Sequence, residues 1–250
     1  MAFETVIIYQ GPSLIDGEEI VVMAQRGSRN RKTGAMLQTF ILRVDVDPVT
    51  ASREGKDFSI CGSCPHRGQA HDGDKGQAKN RSCYVTLAHS PLTKYKCFKR
   101  GGYAAIEGHA ALAAFGKGEM VRIGTYGDGA AVPSYIWESL CSEAKGWTAY
   151  THQSGMESAA SDPKLYMTSV ESEVQAKEAW LKGERTFRVI ADVSQVVKGR
   201  EILCPASEEM GKRSTCETCG LCAGASLKAK SIAIVAHGTS KKAAKQLVAA

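Results

Sequence analysis

Short apolar runs separated by turn sequences dominate the first sixty residues of the chain. Three such runs occur, at residues 4–9, 19–24 and 36–46. Gly-Pro-Ser and Asp-Gly sequences, which are typical of turns, separate the first two, and Asp47-Pro48 ends the third. Because apolar runs joined by short turns favour antiparallel pairing, the pattern predicts an antiparallel β-module over residues 1–60.

Residues 61–104 have little helical periodicity and are rich in Gly, His, Cys and Lys. A segment of this composition has too few apolar residues to build a hydrophobic core of its own. A bound metal ion is the usual source of stability for such a segment. We therefore interpret residues 61–104 as a Cys/His-rich metal-binding segment.

From residue 105 onwards, apolar strands end in polar residues and are mostly followed by helices. Six strands are expected, at residues 121–123, 147–150, 165–167, 186–190, 201–203 and 231–236. Helices are expected to begin near Pro133, to end near Lys182 and to follow Ser240. This alternation predicts an α/β domain over residues 105–250, with a mostly parallel sheet or a partial (β/α) barrel.

Polar residues follow several of these strands, and in both architectures ligands bind at the carboxyl ends of the strands. The residues expected there are Asp128, His152, Ser169, Cys204 and His237. We predict that they share one cleft, with Asp128 and His152 as catalytic residues and Ser169 in contact with a cofactor. The alternative for His152 is a buried, hydrogen-bonded histidine without a chemical role.

Two loops at the strand ends are candidates for ligand binding. The glycines at positions 124, 127 and 129 can bring backbone N–H groups close to a ligand, so Gly127 is a candidate cofactor-binding residue, although the same glycines can simply turn the chain. Thr239 and Ser240 open the last helix, whose free N–H groups favour a phosphate. The alternative is a helix capped by Ser240 and followed by exposed lysines.

Nine cysteines carry the clearest chemical pattern. Four of them form a late set with the spacing C-x11-C-x2-C-x2-C, namely Cys204, Cys216, Cys219 and Cys222. Cysteines at this spacing can converge on one metal centre. Three clustered cysteines with a distant fourth resemble the cubane-binding runs of ferredoxins more than the two separate pairs of a zinc ribbon. We predict an iron–sulfur cluster here, with zinc as the alternative.

An early set consists of Cys61, Cys64 and Cys83. One hypothesis is a zinc site that His66, His71 or Cys97 completes. The other is an iron–sulfur cluster with three cysteine ligands, in which one iron can bind a substrate or S-adenosylmethionine. Cys141 lies on the apolar face of a predicted helix and is expected in the hydrophobic core.

The composition indicates how large a hydrophobic core the chain can build and what its charge favours. With 250 residues, 43% of them hydrophobic, the chain can build one large core or two modest ones. The net charge of +6 arises partly from basic clusters, which suit phosphates or nucleic acid but are also common on solvated surfaces. The clusters are Arg26, Arg29, Arg31 and Lys32; Lys94, Lys96, Lys99 and Arg100; and Lys241, Lys242 and Lys245.

No signal-peptide pattern opens the sequence, and no apolar stretch approaches the ~20 residues of a membrane span. We therefore expect a reducing cytoplasm, where paired thiols are more often ligands or redox groups than disulfides, and no membrane partner. The sequence does not decide the oligomeric state.

Several stretches carry a resemblance that covers most of the chain. They are residues 8–14, 16–17 and 30–34, Cys61-Gly62-x-Cys64-Pro65, Cys83-Tyr84-Val85, Lys99-Arg100-Gly101-x-Tyr103, Tyr126-Gly127-Asp128, residues 131–133, residues 146–153 with Trp147 and His152, and residues 204–222. They resemble an uncharacterised family of bacteriophage proteins, some labelled as rolling-circle-replication-associated. The resemblance implies the host-cell cytoplasm and a three-cysteine early site. The histidine pair and catalytic tyrosine motif of replication initiators are absent from the sequence.

A fainter similarity is to radical S-adenosylmethionine enzymes, through the partial barrel, the three-cysteine set, the glycine-acidic loop and the late cysteines. The C-x3-C-x2-C spacing of those enzymes is replaced here by C-x2-C-x18-C. Two functions follow as hypotheses. One is an iron–sulfur enzyme that acts on a nucleotide or nucleic acid. The other is a nucleic-acid-binding protein with structural zinc sites and no catalysis.

Overall fold

The computed structural model of the protein describes residues 4–28 and 30–249. Arg29, a member of the first basic cluster, lies outside the described residues. The described strands are β1 (Glu4–Pro12), β2 (Glu19–Arg26), β3 (Leu37–Arg43), β4 (Ala104–Ala105), β5 (Met120–Tyr126), β6 (Gly146–Thr148), β7 (Tyr150–Thr151), β8 (Met167–Val170), β9 (Thr186–Ile190), β10 (Glu201–Leu203) and β11 (Ser231–Val235). The described α-helices are α1 (Pro48–Arg53), α2 (Phe58–Cys61), α3 (Ser90–Lys99), α4 (His109–Gly116), α5 (Ser134–Cys141), α6 (Glu173–Leu181), α7 (Cys216–Cys219) and α8 (Lys241–Ala249).

The first sheet has the strand order β4-β1-β2-β3-β5-β6. Strands β1, β2 and β3 pair antiparallel, which confirms the predicted N-terminal β-module. The pairs β1–β4, β3–β5 and β5–β6 are parallel. The N-terminal strands therefore belong to the same sheet as the first strands of the α/β region.

The second sheet has the order β10-β11-β9-β8-β7, and all of its pairs are parallel. Only Ala149 separates β6 of the first sheet from β7 of the second. At Ala149 the chain pairs on both sides, because its N–H donates to the Cys222 carbonyl at 2.9 Å and its carbonyl accepts from Met167 N–H at 3.0 Å. The α/β fold class with a mostly parallel arrangement is thereby confirmed.

The largest hydrophobic core lies against the first sheet. Every residue of β3 is buried, which agrees with a central strand covered on both faces. Trp137 of α5 and Tyr166 are the largest fully buried side chains. Cys141 is half-buried against this core, as expected, and burial raises the pKa of its thiol to about 12. The core joins residues of the N-terminal module to residues beyond position 105.

One strand begins later than expected. The carbonyl of Asp162 accepts hydrogen bonds from the N–H groups of Leu165 and Tyr166, both at 3.0 Å. This turn delays β8 to Met167–Val170, so the strand predicted at residues 165–167 was misplaced. Ser169 consequently lies inside the strand rather than after it.

The positions of two helices add to or differ from the predictions. Helix α6 begins after Ser172, whose side chain and that of Gln175 form a capping box. Helix α3 lies inside residues 61–104, where little helix was expected. Its Tyr95 and Phe98 pack against the main core, and this packing stabilises the helix. Within the described residues, no helix has both the length and the apolar composition needed to cross a membrane.

Candidate functional site

A cavity of about 800 Å³ opens at the carboxyl-terminal ends of the parallel strands. Residues that lie one or two positions after five strands line it: Asp128 after β5, His152 after β7, Glu171 after β8, Cys204 after β10 and His237 after β11. Ser169 lines it from within β8. The structure therefore brings Asp128, His152 and Ser169 to one cleft, which is large enough for a small-molecule ligand.

All four cysteines of the late set line this cavity, although Cys204 is distant from the others in sequence. Cys204 follows β10, and Cys216 and Cys219 bound the short helix α7. The N–H of Cys216 donates to the Lys32 carbonyl at 3.0 Å, and the Glu217 carboxylate accepts from Ala35 N–H at 2.8 Å. These contacts attach α7 to the 30–35 loop.

Gly34 makes that attachment possible. Its φ of +75° lies in the left-handed region, and a Cβ at this position would lie 2.4 Å from a carboxylate oxygen of Glu217. Any other residue would be strained at this φ and would displace the Glu217 carboxylate that attaches α7 to the loop.

Arg185 holds the segment around Cys222 in place. Its guanidinium donates hydrogen bonds to four backbone carbonyls at 2.7 to 2.9 Å, those of Leu221, Gly224, Ala229 and Lys230. The side chain is only 7% exposed. Sequence reasoning missed this residue, because nothing in the sequence shows that residues 221–230 return to the start of β9.

The early set also lines the cavity, through Cys61, Cys64 and Cys83. Cys61 ends α2, and its carbonyl accepts a hydrogen bond from the Gln153 amide at 2.9 Å. The carbonyl of His66 accepts from the N–H groups of Ser82 and Cys83 at 3.2 and 3.0 Å. These bonds place Cys83 beside the Cys64–His66 turn.

The surroundings of the two sets disfavour free thiolates. Burial raises the pKa of Cys61 well above its ordinary value and raises that of Cys83 and Cys204. Burial also raises the pKa of Cys222 to about 12. A cation bound at these sulfurs would reverse the effect, since metal ligation requires the thiolate.

Asp128 organises the loops around the site. Its carboxylate is 7% exposed and accepts four hydrogen bonds at 2.9 to 3.1 Å. The donors are the N–H groups of Ala130 and His152, the Thr151 hydroxyl and the Gln153 amide. With its acceptor sites filled, Asp128 is better suited to positioning His152 than to accepting a proton from a substrate.

His152 contacts a second carboxylate that sequence reasoning missed. Its Nε2 lies 2.7 Å from Oε1 of Glu171, and Nε2 of His66 lies 3.5 Å from the same oxygen. Burial opposes the charged form of His152, but Cys64 and Glu171 raise its pKa well above the usual value. Burial likewise opposes ionisation of Glu171, but His152 and His66 lower its pKa to about 2. Glu171 directly follows β8, but the strand was predicted to end at residue 167, so this position was not visible in the sequence.

Basic and aromatic residues form another wall of the cavity. Arg122 is 8% exposed and donates to the Tyr84 hydroxyl, and Nζ of Lys32 lies 2.6 Å from Nε2 of His237. The Tyr84 and His237 rings stack at 5.9 Å. Within the described part of the chain, no carboxylate forms an ion pair with Arg122 or Lys32. The wall therefore carries two basic groups without a carboxylate partner among the described residues, and the thiols of Cys204 and Cys216 lie near them.

The remaining candidates lie as follows. Gly127 lines the cavity with a φ of +85°, and a Cβ there would lie 2.7 Å from Cβ of Ile41, so packing alone already requires glycine. Thr239 is exposed and Ser240 half-buried, and neither lines the cavity. Cys97 and His71, two possible fourth ligands of the early set, also lie outside the lining.

The fold and the cavity define an α/β protein whose two cysteine sets face one cavity. No protein-family model, curated protein or solved structure matches the chain. Its likeness to the phage family and to radical S-adenosylmethionine enzymes stays a hypothesis from the sequence.

Replacing Asp128 with asparagine tests the positioning role. We expect Asp128→Asn to lower the free energy of unfolding by about 3 kcal/mol, because an amide NH₂ would face donors that now bond to a buried carboxylate. Urea unfolding measures the change. The exposed Asp72 supplies the control Asp72→Asn, which should unfold like the original protein. Equal stability of both variants would refute the role assigned to Asp128.

Proposed function

We propose that the protein is a phage-type metal-cluster protein, an iron–sulfur enzyme that acts on a nucleotide or nucleic acid in the host-cell cytoplasm. One observation carries the proposal: all seven predicted cysteine ligands line the same cavity. A purely structural metal site is normally closed by its protein ligands, whereas two cysteine sets that face a ligand-sized cavity are placed to take part in chemistry. All nine cysteines are free thiols, which suits a reducing compartment.

Among the described residues, the cysteine sulfurs of neither set are placed for a single zinc ion. Two thiolates on one zinc ion lie within ~4.6 Å of each other, twice the Zn–S bond length. Among the described residues, no three cysteine sulfurs lie within 4.8 Å of one another. Binding of one zinc ion would therefore require the sulfurs of a set to move closer together, whereas a cluster of several irons holds its thiolates farther apart.

Two tyrosine side chains beside the cysteines also support an iron–sulfur cluster. The Tyr126 hydroxyl has no hydrogen-bond partner among the described residues and lies close to Cys61 and Cys83. A thiolate or sulfide there would accept its hydrogen bond. In the late set, the Tyr150 side chain lies beside Cys222. Hydrogen bonds to sulfur are among the features that tune the reduction potential of a cluster.

The early set is the candidate for the reactive centre. Cys97 and His71 lie away from the cavity, and the ring nitrogens of His66 contact Ser82 and Glu171. Three cysteines thus supply the ligands. A cluster held in this way can bind a small molecule at its remaining iron, and S-adenosylmethionine is the cofactor that we propose for that position. Gly127, Ser169 and the Asp128–His152 pair line the adjacent wall.

The cationic wall supports an anionic substrate. Arg122 is a buried cation and Lys32 is a half-buried basic group; neither has a carboxylate partner among the described residues, and Tyr84 offers an aromatic face beside them. Phosphate oxygens satisfy buried guanidinium and ammonium groups, and bases stack on aromatic rings. We propose that these residues hold a nucleotide phosphate, with Thr239 and Ser240 in a supporting position outside the cavity.

Metal analysis of anaerobically purified protein tests the proposal. We expect a brown protein with broad absorption near ~400 nm and iron with an equal amount of acid-labile sulfide. A colourless protein that contains zinc and no iron would refute the enzyme. That result would instead favour the nucleic-acid-binding protein with structural zinc.

Phosphate binding by the cationic wall is tested separately. We expect Arg122→Met to weaken binding of ATP, used as a nucleotide probe, by about tenfold or more, because a charged hydrogen bond contributes ~1.5–3 kcal/mol. Isothermal titration measures the affinity, and circular dichroism checks the fold. Lys242→Met, a change at an exposed lysine outside the cavity, should bind like the original protein. Equal binding by both variants would place the phosphate elsewhere.

A further inference from the structure

Three potential metal ligands lie together in one wall of the cavity. Oε1 of Glu171 is 2.7 Å from Nε2 of His152 and 3.5 Å from Nε2 of His66, and the three ligand atoms all lie within 4.8 Å of one another. Zinc bonds to imidazole nitrogen and carboxylate oxygen are ~2.0–2.2 Å long, so two ligands of one ion lie at most ~4.4 Å apart. The three atoms need to move little to bind one ion.

Neighbouring groups orient the His66 ring and hold the backbone of His152 and Glu171 in place. Nδ1 of His66 bonds to the Ser82 hydroxyl at 2.8 Å, the backbone of His152 is held by Asp128 at 2.9 Å, and the N–H of Glu171 donates to the Gln175 side chain at 3.0 Å. Metal-bound histidines commonly use their second ring nitrogen in this way. The set is therefore arranged in advance of binding.

The same residues are accessible from two sides. His152 and Glu171 line the main cavity and also a second cleft of about 450 Å³, which Ser169 and Ser154 border. An ion can reach the site through this second cleft without passing the cysteine sets. Their side chains are partly buried, 18% and 17% exposed, so a bound ion would be largely shielded from water.

We propose that His66, His152 and Glu171 bind one divalent first-row transition-metal ion at a site separate from both cysteine sets. Two histidines and one carboxylate are a ligand set that such ions use, with further coordination positions left for water or substrate. Bound there, the ion would replace the hydrogen bond between His152 and Glu171 and would face the cavity beside Cys64. His152 then acts as a ligand and Asp128 positions it.

Zinc stoichiometry tests the site. Chelator-treated protein is dialysed to equilibrium against Zn²⁺, and bound metal is measured by mass spectrometry. We expect Glu171→Gln and His66→Ala each to bind one Zn²⁺ fewer than the original protein. His71→Ala, which removes a histidine bonded to the backbone of Gly73 and Gln77 outside the cavity lining, should bind the same number as the original protein.

Two further variants separate this site from the cysteine sets and from folding. Cys83→Ser should retain the zinc ion that Glu171→Gln loses, and its loss in both variants would show one mixed centre and overturn the separate site. If His66→Ala does not fold, Ser82→Ala leaves all three ligands in place and should weaken zinc binding by about tenfold. Identical zinc counts and affinities in all these variants would overturn the proposal.

Discussion

Cys83→Ser should remove the whole early metal centre and about half of the iron, while the late centre remains. Cys83 belongs to a set of three, so its loss leaves two ligands, too few to hold a cluster. The segment 61–104 also contacts the main hydrophobic core through Leu87 and through Tyr95 and Phe98 of α3, so loss of this centre should leave that part of the segment folded. Iron and sulfide analysis of anaerobically purified variants measures the effect.

Cys97→Ser is the matched control. Cys97 lies in α3, outside the cavity lining, so its substitution should leave iron and sulfide unchanged. Limited trypsin digestion then adds a second measurement. If the early centre only stabilises the loop, Cys83→Ser should be cut much faster at Lys75, Lys79 and Arg81; in the enzymatic case, most of the fold should persist. Full iron content in Cys83→Ser would contradict the assignment of this ligand.

The strands were predictable because each is a short apolar run with a clear end. Residues 186–190 and 201–203 match β9 and β10 without any shift, and the alternation with helices was sufficient for the α/β class. The boundary of β8 was not predictable, since it depends on a turn that the Asp162 carbonyl forms. The change of sheet at Ala149 is likewise a property of the pairing and not of the local sequence.

The candidate site was likewise only partly predictable from the sequence. Spacing identified the two cysteine sets, and position after a strand identified Asp128 and His152. The sequence could not show that both sets face one cavity, because that depends on how β10 and the α7 segment meet the turn around Cys61. Glu171 and Arg122 were missed because their importance comes from neighbours distant in sequence, His66 for one and Tyr84 for the other.

Arg185→Lys should be the most damaging substitution outside the cysteines. The guanidinium donates hydrogen bonds to four backbone carbonyls of residues 221–230, which lie in different directions. The ammonium group of lysine has three donors on a flexible side chain and cannot reproduce that geometry. Buried carbonyls left without a donor are costly. We therefore expect the free energy of unfolding to fall by roughly 3–5 kcal/mol.

The loss should also affect the late metal centre, because Cys222 lies within the segment that Arg185 holds. We expect Arg185→Lys to lose the iron of the late set and to keep the iron that depends on Cys83. Arg213→Lys, the same change at an exposed arginine of the neighbouring loop, should alter neither stability nor iron. Urea unfolding and iron analysis of the two variants provide the measurement. Full retention of late iron in Arg185→Lys would mean that the cysteines, and not the arginine, hold the segment in place.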